Sequence, residues 1–278
     1  MSMSIIVPLD GSPFAERGLP IASKLARRSG GSITLFTGRD AGVPADIDEY
    51  LDRQAARFDI QAKHKSDDHH DIPLSLANFA AAHGDPVIVM SSRGPNGIDD
   101  VVIGSITAET LRLTDTPVLL LGPHLESGPS PTDSDYETLL VCLDGSPEAE
   151  AILPVAERWA KLLSLKVWIV QVVEPDASKI PALELGSETL NESGYVHRIA
   201  TEMGGTMSIG FDVLHDRHPH HPAAAILRYA EALPRPIIAM ATHGRTGLRR
   251  LAMGSVTMAV VRHATGPVLV IRPADRQN

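Results

Sequence analysis

Short apolar runs alternate along this chain with longer stretches whose apolar residues recur every three or four positions. In the amino-terminal half, residues 5–9, 32–37, 58–64, 87–90 and 118–121 are brief, apolar and often β-branched, which predicts five strands. Residues 14–29, 47–57, 74–83 and 105–115 lie between them with helical spacing. Ser12 followed by Pro13 reads as an N-cap and a first helical position. In the carboxy-terminal half, residues 139–143, 166–172, 210–214, 237–241 and 268–271 repeat the strand pattern. Five strands alternating with helices predict an α/β unit, a parallel sheet wound on both faces. Such sheets take ligands beyond the carboxyl ends of their strands, where the winding direction reverses, so residues at strand ends carry the most information.

The two halves are copies. Residues 4–13 (SIIVPLDGSP) match residues 138–147 (TLLVCLDGSP), and the aspartates Asp10 and Asp144 stand 134 apart. Residues 86–94 (PVIVMSSRG) match residues 236–244 (PIIAMATHG) at an offset of 150, from Gly94 to Gly244. That offset holds through Gly104-Ser105 against Gly254-Ser255 and through 117–121 against 267–271. The second copy therefore carries 16 extra residues in its middle, 150 − 134. A stretch rich in Pro, Gly, Ser and Asp separates the copies, which divides the chain into 1–122, a linker at 123–136, and 137–278.

Composition narrows the function classes. A formal net charge of −9 and a pI of about 5.7 argue against a nucleic-acid partner, which needs a basic face to displace counterions. One cysteine, Cys142, excludes an internal disulfide and a thiolate metal cage. The amino terminus lacks the basic and apolar regions of a signal peptide, and no apolar run approaches the ~20 residues that span a bilayer. The expectation is a soluble cytoplasmic protein with no membrane partner.

The segment after the fourth strand holds the candidate chemistry. In the second copy it runs from Ala241 through His243, Gly244 and Arg245 to Gly254, Ser255 and Thr257, leading into a helix. Glycine lets backbone approach a phosphate without a Cβ in the way. A Gly-Ser pair at a helix start offers backbone N–H groups, a hydroxyl and the positive end of the dipole. The simpler reading is a turn and a serine cap, since serine is a preferred N-cap. The recurrence of the arrangement at one spacing after both fourth strands favours a phosphate cradle. It is neither a Walker loop nor the Gly-x-Gly-x-x-Gly fingerprint.

An aspartate near the end of the first strand, with Gly-x₂-Gly-x₉-Gly-Ser/Thr after the fourth, resembles the nucleotide-binding pattern of the universal stress protein family. The likeness covers almost the whole chain, as a tandem two-domain member with Rossmann-like domains. It implies that the first-strand aspartate meets the ribose, a residue ending the second strand meets the adenine, and the glycine loop holds the phosphates. By this resemblance the second copy supplies Cys142, Leu143 and Asp144 around ribose and base, and Val172 beside the adenine. Met240, Ala241, His243 and Gly244 line its loop, and Gly254, Ser255, Val256 and Thr257 form its phosphate end. The first copy supplies Pro8, Leu9, Asp10 and Gly38, then Met90, Ser91, Arg93, Gly94, Gly104, Ser105, Ile106 and Thr107. Both copies depart from the pattern where Ser91 and Ala241 replace its first glycine, and Gly38 brings no side chain to the adenine. The resemblance also implies that the last strands of the two copies pair antiparallel, an intramolecular counterpart of the family's homodimer. Association of two such chains is left open.

The copies differ in charge. Arg245, Arg249 and Arg250 of the second loop stand where the first has Pro95, Asp99 and Asp100, so the second is expected to hold a triphosphate more tightly. If these side chains face solvent, screening leaves them worth little. Histidines gather after each third strand: His64, His69 and His70 among Asp67, Asp68 and Asp71, and His215, His218, His220 and His221. Their spacing matches no metal template and reads as a solvated polar loop, so no metal site is assigned; magnesium would accompany the phosphates. Asp10, Asp144 and His243 suggest binding rather than dedicated catalysis. The leading expectation is an ATP-binding stress-response regulator with a protein partner. The alternatives are a weak ATPase or autokinase, and a nucleotide-independent interaction module with vestigial loops.

Overall fold

The structure, a computed structural model, describes residues 2–38, 46–67, 71–92, 103–125, 136–173, 185–204, 209–215, 222–243 and 253–273. The first copy runs β1 (Ser4–Pro8), α1 (Pro13–Glu16), α2 (Gly18–Ser29), β2 (Ser32–Gly38), α3 (Ile47–Arg57), β3 (Ala62–Asp67), α4 (Ile72–Ala81), β4 (Pro86–Ser91), α5 (Ser105–Leu113) and β5 (Val118–Leu121). The second repeats it as β6 (Thr138–Leu143), α6 (Pro147–Glu150), α7 (Leu153–Leu163), β7 (Lys166–Val173), α8 (Leu185–Gly204), β8 (Ile209–His215), α9 (Pro222–Glu231), β9 (Pro236–Ala241), α10 (Ser255–His263) and β10 (Val268–Ile271).

All ten strands join one sheet in the order β3-β2-β1-β4-β5-β10-β9-β6-β7-β8. Every adjacent pair is parallel except β5 and β10, which meet antiparallel with Leu119 opposite Leu269. Strands β4, β5, β6 and β10 are buried along their whole length, as covering on both faces demands. Each face carries one apolar cluster that spans the two copies. Ile5, Val7, Leu119, Leu139 and Leu269 lie on one side, and Ile6, Ile88, Leu120, Leu140 and Val268 on the other. Edge strand β3 is polar, with Lys63, His64 and Lys65, which discourages further strand pairing.

Four expectations are corrected by local chemistry. The single helix predicted over 14–29 is two, α1 and α2, parted at Arg17. Pro20 has no N–H to give the carbonyl of Glu16, and Pro154 leaves Glu150 in the same position between α6 and α7. The third strand begins at Ala62, not 58, because α3 runs to Arg57 and closes with a turn. Ile60 N–H reaches back to Ala55 O at 2.9 Å, and Asp59 takes φ 51°. Phe58 and Ile60 are thus the apolar clasp of a helix end rather than strand residues. Helix α4 starts at Ile72, two residues early, because Asp71 caps it by accepting from Leu74 N–H at 3.1 Å, and α5 stops at Leu113 where Thr114 turns extended.

The 16 extra residues divide. The copy offset is 134 from β1 to β6, 147 from Ala62 to Ile209, and 150 from Ile72 to Pro222. Thirteen residues therefore precede β8 and three follow it, and most of the first group lengthens α8 to 20 residues against 11 for α3.

Arginines tie the copies to each other and to the segment between them. Arg17 Nη2 donates to the carbonyls of Gly122 at 3.2 Å and Leu125 at 2.5 Å, where the chain leaves β5. Arg28 donates to the carbonyl of Tyr136, just before β6, and to that of Ser164 at 3.2 Å. Arg158 of α7 returns an ion pair to Asp85 at 2.6 Å.

Candidate nucleotide site

The predicted residues that the structure describes gather at the carboxyl ends of β1, β2 and β4, and again of β6, β7 and β9. These are the strands flanking the point where the winding reverses, between β1 and β4 and between β6 and β9. Asp10 and Asp144 sit one turn beyond the first strand of each copy. The next residues, Gly11 and Gly145, take φ of 81° and 83°, a left-handed bend open to glycine. The bend returns the Ser12 and Ser146 N–H groups to Asp10 and Asp144 Oδ1, both at 2.9 Å. Ser12 and Ser146 also cap α1 and α6, each Oγ accepting from the N–H three residues on at 3.2 Å. In the second copy the Ser146 hydroxyl adds a 2.6 Å bond to Asp144. The carboxylates are thereby held at fixed positions.

Behind each aspartate stands a tyrosine that the sequence reading missed. Tyr50 donates to Glu16 at 3.2 Å, where Gln54 Nε2 (2.8 Å) and Arg57 (3.3 Å) also converge. Burial, then the charges of Glu16 and Asp10, push the Tyr50 phenol far above its usual range. Tyr195 lies likewise against Glu150 with Asp144 nearby, and its phenol is pushed up for the same reasons. The glutamates repeat at the 134 offset, but the tyrosines are 145 apart, inside the region where the copies diverge. That mismatch hid them.

At the other end of the cradle, Gly104 and Gly254 are the N-caps of α5 and α10, with extended backbone and no side-chain cap. The serine-cap reading is therefore corrected: Ser105 and Ser255 occupy the first helical position, exposed. The first intrahelical bonds run from Ala108 N–H to Gly104 O and from Met258 N–H to Gly254 O, both 2.9 Å. The N–H groups of residues 105–107 and 255–257 consequently have no acceptor inside their helices. Each helix start is pinned to its strand. Gly104 N–H donates to Ser92 O (2.8 Å) and Gly254 N–H to Thr242 O (2.7 Å). The Thr107 hydroxyl donates to Ser91 O and that of Thr257 to Ala241 O, both at 3.0 Å. These buried threonines commit their protons to the scaffold rather than to a ligand.

Several residues expected to line the site are buried. Leu9 and Leu143 belong to one face of the sheet, while Met90, Cys142 and Met240 belong to the other. Side chains of Cys142 and Leu143 point to opposite faces and cannot both meet one ligand, so backbone is what they offer. Burial also pushes the Cys142 thiol well above its usual range. Pro8, Val172 and Val256 are half-buried, Ile106 is exposed, and His243 Nδ1 lies 3.1 Å from Thr242 Oγ1. Gly38 ends β2 beneath Ile72 of α4.

Arg93, Gly94 and Gly244 fall outside the described residues, as do Pro95, Asp99, Asp100, Arg245, Arg249 and Arg250. His69, His70, His218, His220 and His221 do so too, while His64 lies 3.8 Å from Asp52. Among the described residues no group of three His, Cys, Asp or Glu side chains is arranged to hold a metal. No helix there is long and apolar enough to cross a membrane.

In sequence and fold the chain is similar to known proteins. The family model for the universal stress protein family matches residues 135–272. The universal stress protein MJ0531 of Methanocaldococcus jannaschii is 31% identical over 51% of this chain and 85% of its own. Slr1230 of Synechocystis, also a universal stress protein, is 26% identical over 97% of this chain and 99% of its own. A universal stress protein of Mycolicibacterium smegmatis is 28% identical over 67% of this chain, which spans only 62% of that relative. Among solved structures, a universal stress protein from Archaeoglobus fulgidus superposes with a TM-score of 0.67 at 19% identity, over 98% of both chains.

Proposed function

Because this chain belongs to the universal stress protein family, we propose that it binds adenine nucleotide, with ATP as the ligand, and acts as a nucleotide-dependent regulator in the stress response. The observation that carries this reading is the pair of glycine-capped helix starts at the strand ends. Each offers backbone N–H groups without intrahelical acceptors and an exposed serine hydroxyl, within one sheet edge of a fixed carboxylate. Those donors suit phosphate oxygens. Asp10 and Asp144 suit ribose hydroxyls, and magnesium enters with the phosphates. The units are residues 1–122 and 137–278, joined by 123–136, in a cytoplasmic protein without nucleic-acid or membrane partners. Nucleotide state would then alter the association with a protein partner or a second chain.

The second copy binds more tightly in this proposal, on the strength of its three loop arginines. Calorimetric titration of ATP into the Gly244→Ala and Gly94→Ala variants tests it. Gly244→Ala should remove the stronger phase and Gly94→Ala only the weaker. Loss of all binding on Gly94→Ala alone would overturn the order. Binding without dedicated turnover is part of the proposal. ATP hydrolysis that disappears in a folded Asp144→Ala variant would make the protein an enzyme instead. A melting temperature unmoved by ATP would favour an interaction module with vestigial loops.

A further inference from the structure

The two copies build the base end of the cradle differently. In the second copy β7 brings a half-buried Val172 to the strand end, and Pro222 starts helix α9, after β8. In the first copy the corresponding residues, at offsets 134 and 150, are Gly38 and Ile72. A Cβ placed on Gly38 would lie 1.8 Å from Ile72 Cδ1 and 2.8 Å from Ile72 Cγ1. The Ile72 side chain therefore fills the space that the strand residue's own side chain takes in the second copy. Ile72 is only half-buried, and it packs against the cluster of Phe36, Leu76 and Met90 on that face of the sheet. The side chain lies over Gly38, at the carboxyl end of β2.

From this exchange we infer that Ile72, reaching in from α4, is the apolar wall of the base subsite in the first copy, the part that Val172 plays from β7 in the second. The inference rests on the nucleotide-binding reading and deepens it. An apolar wall is what a planar base needs on one face. With Gly38 alone, the first copy would offer bare backbone, and the apolar surface comes from the neighbouring helix. Gly38 is then required by packing, since any larger residue collides with the wall. The wall's shape belongs to a contact between two elements that lie 34 residues apart, Gly38 and Ile72.

Photolabelling with an azido-adenine analogue of ATP on the full chain tests this, because each copy is read separately from its own labelled peptide. The label in the first copy should fall on the start of α4, and in the second on the end of β7. Ile72→Ala should weaken first-copy labelling about tenfold, the scale of one apolar wall residue, and leave the second copy unchanged. Ile72→Val should recover most of the loss. The double change Gly38→Val with Ile72→Ala should recover it too, by restoring the second copy's arrangement. Second-copy labelling and the melting curve report that each variant is folded. First-copy labelling that is absent, unchanged or stronger in Ile72→Ala, with the second copy intact, overturns the inference but not the nucleotide reading. Failure of both copies of the unaltered chain to label, or labelling that ATP does not compete away, removes both.

Discussion

Single residues here carry paired duties, and the pairs are visible because the chain repeats them. Thr107 and Thr257 occupy equivalent positions and make the same 3.0 Å bond to the last carbonyl of the fourth strand. The bond fixes where the helix start stands relative to the strand end, and both threonines are buried. Thr257→Val keeps the shape but leaves the Ala241 carbonyl without this donor. It should cost about 1–2 kcal/mol in urea unfolding, with Thr107→Val costing a similar amount. A cost near zero would mean that the hydroxyl does not hold the helix in place. The family resemblance marked these threonines as cradle residues. The direction of their hydroxyls depends on strand and helix being brought together, which spacing does not encode.

At the scale of elements, repeats tolerate small departures in the way each helix ends. Helix α2 ends with Gly30 at φ 62°, whereas its counterpart α7 ends with Ser164 at φ 49°. A left-handed conformation is costly for a residue with a Cβ and nearly free for glycine. Ser164→Gly should therefore stabilise the protein by about 0.5–1 kcal/mol, seen as a higher denaturant midpoint with unchanged slope. Its carbonyl, which receives Arg28 at 3.2 Å, is kept in that variant. The divided first helix shows why periodicity misled at this scale. Apolar spacing continues through Arg17, but Pro20 withholds the one N–H that would join the two pieces. The misplaced third strand has a similar cause, since Phe58 and Ile60 are apolar for the sake of a helix end.

At the scale of the whole molecule, the ten-stranded sheet makes one folding unit of two copies. Both apolar clusters run across the β5–β10 junction, and arginine clasps bridge the copies from both sides, Arg28 to Ser164 and Arg158 to Asp85. Arg17 and Arg28 are matched at the 134 offset by Ala151 and Leu162, so the clasps are an addition to the repeat. The chain's four tyrosines tie its stability to pH. Burial raises Tyr136 and Tyr229 to about 12, and Tyr50 and Tyr195 rise further. All four thus hold their protons more tightly when folded than at the ordinary value of 10.0. Their contribution is fully present below about pH 10 and is lost as pH rises toward 12 and beyond. Equilibrium unfolding should show stability falling through that window. Stability that stays level between pH 10 and 12 would contradict it.

The sequence by itself determined the five strands of each copy, the duplication, and the placing of aspartates and glycine pairs at strand ends. Those properties are written in local periodicity and in matched spacing, which need no knowledge of what lies across the fold. Only the tertiary structure decided which residues face each other across β5 and β10, that Arg28 and Arg158 bridge the copies, and that Tyr50 and Tyr195 stand behind the aspartates. It also decided that Ile72 covers Gly38. Each of these is a contact between residues far apart in the chain, fixed by how helices and strands pack rather than by the order in which they occur.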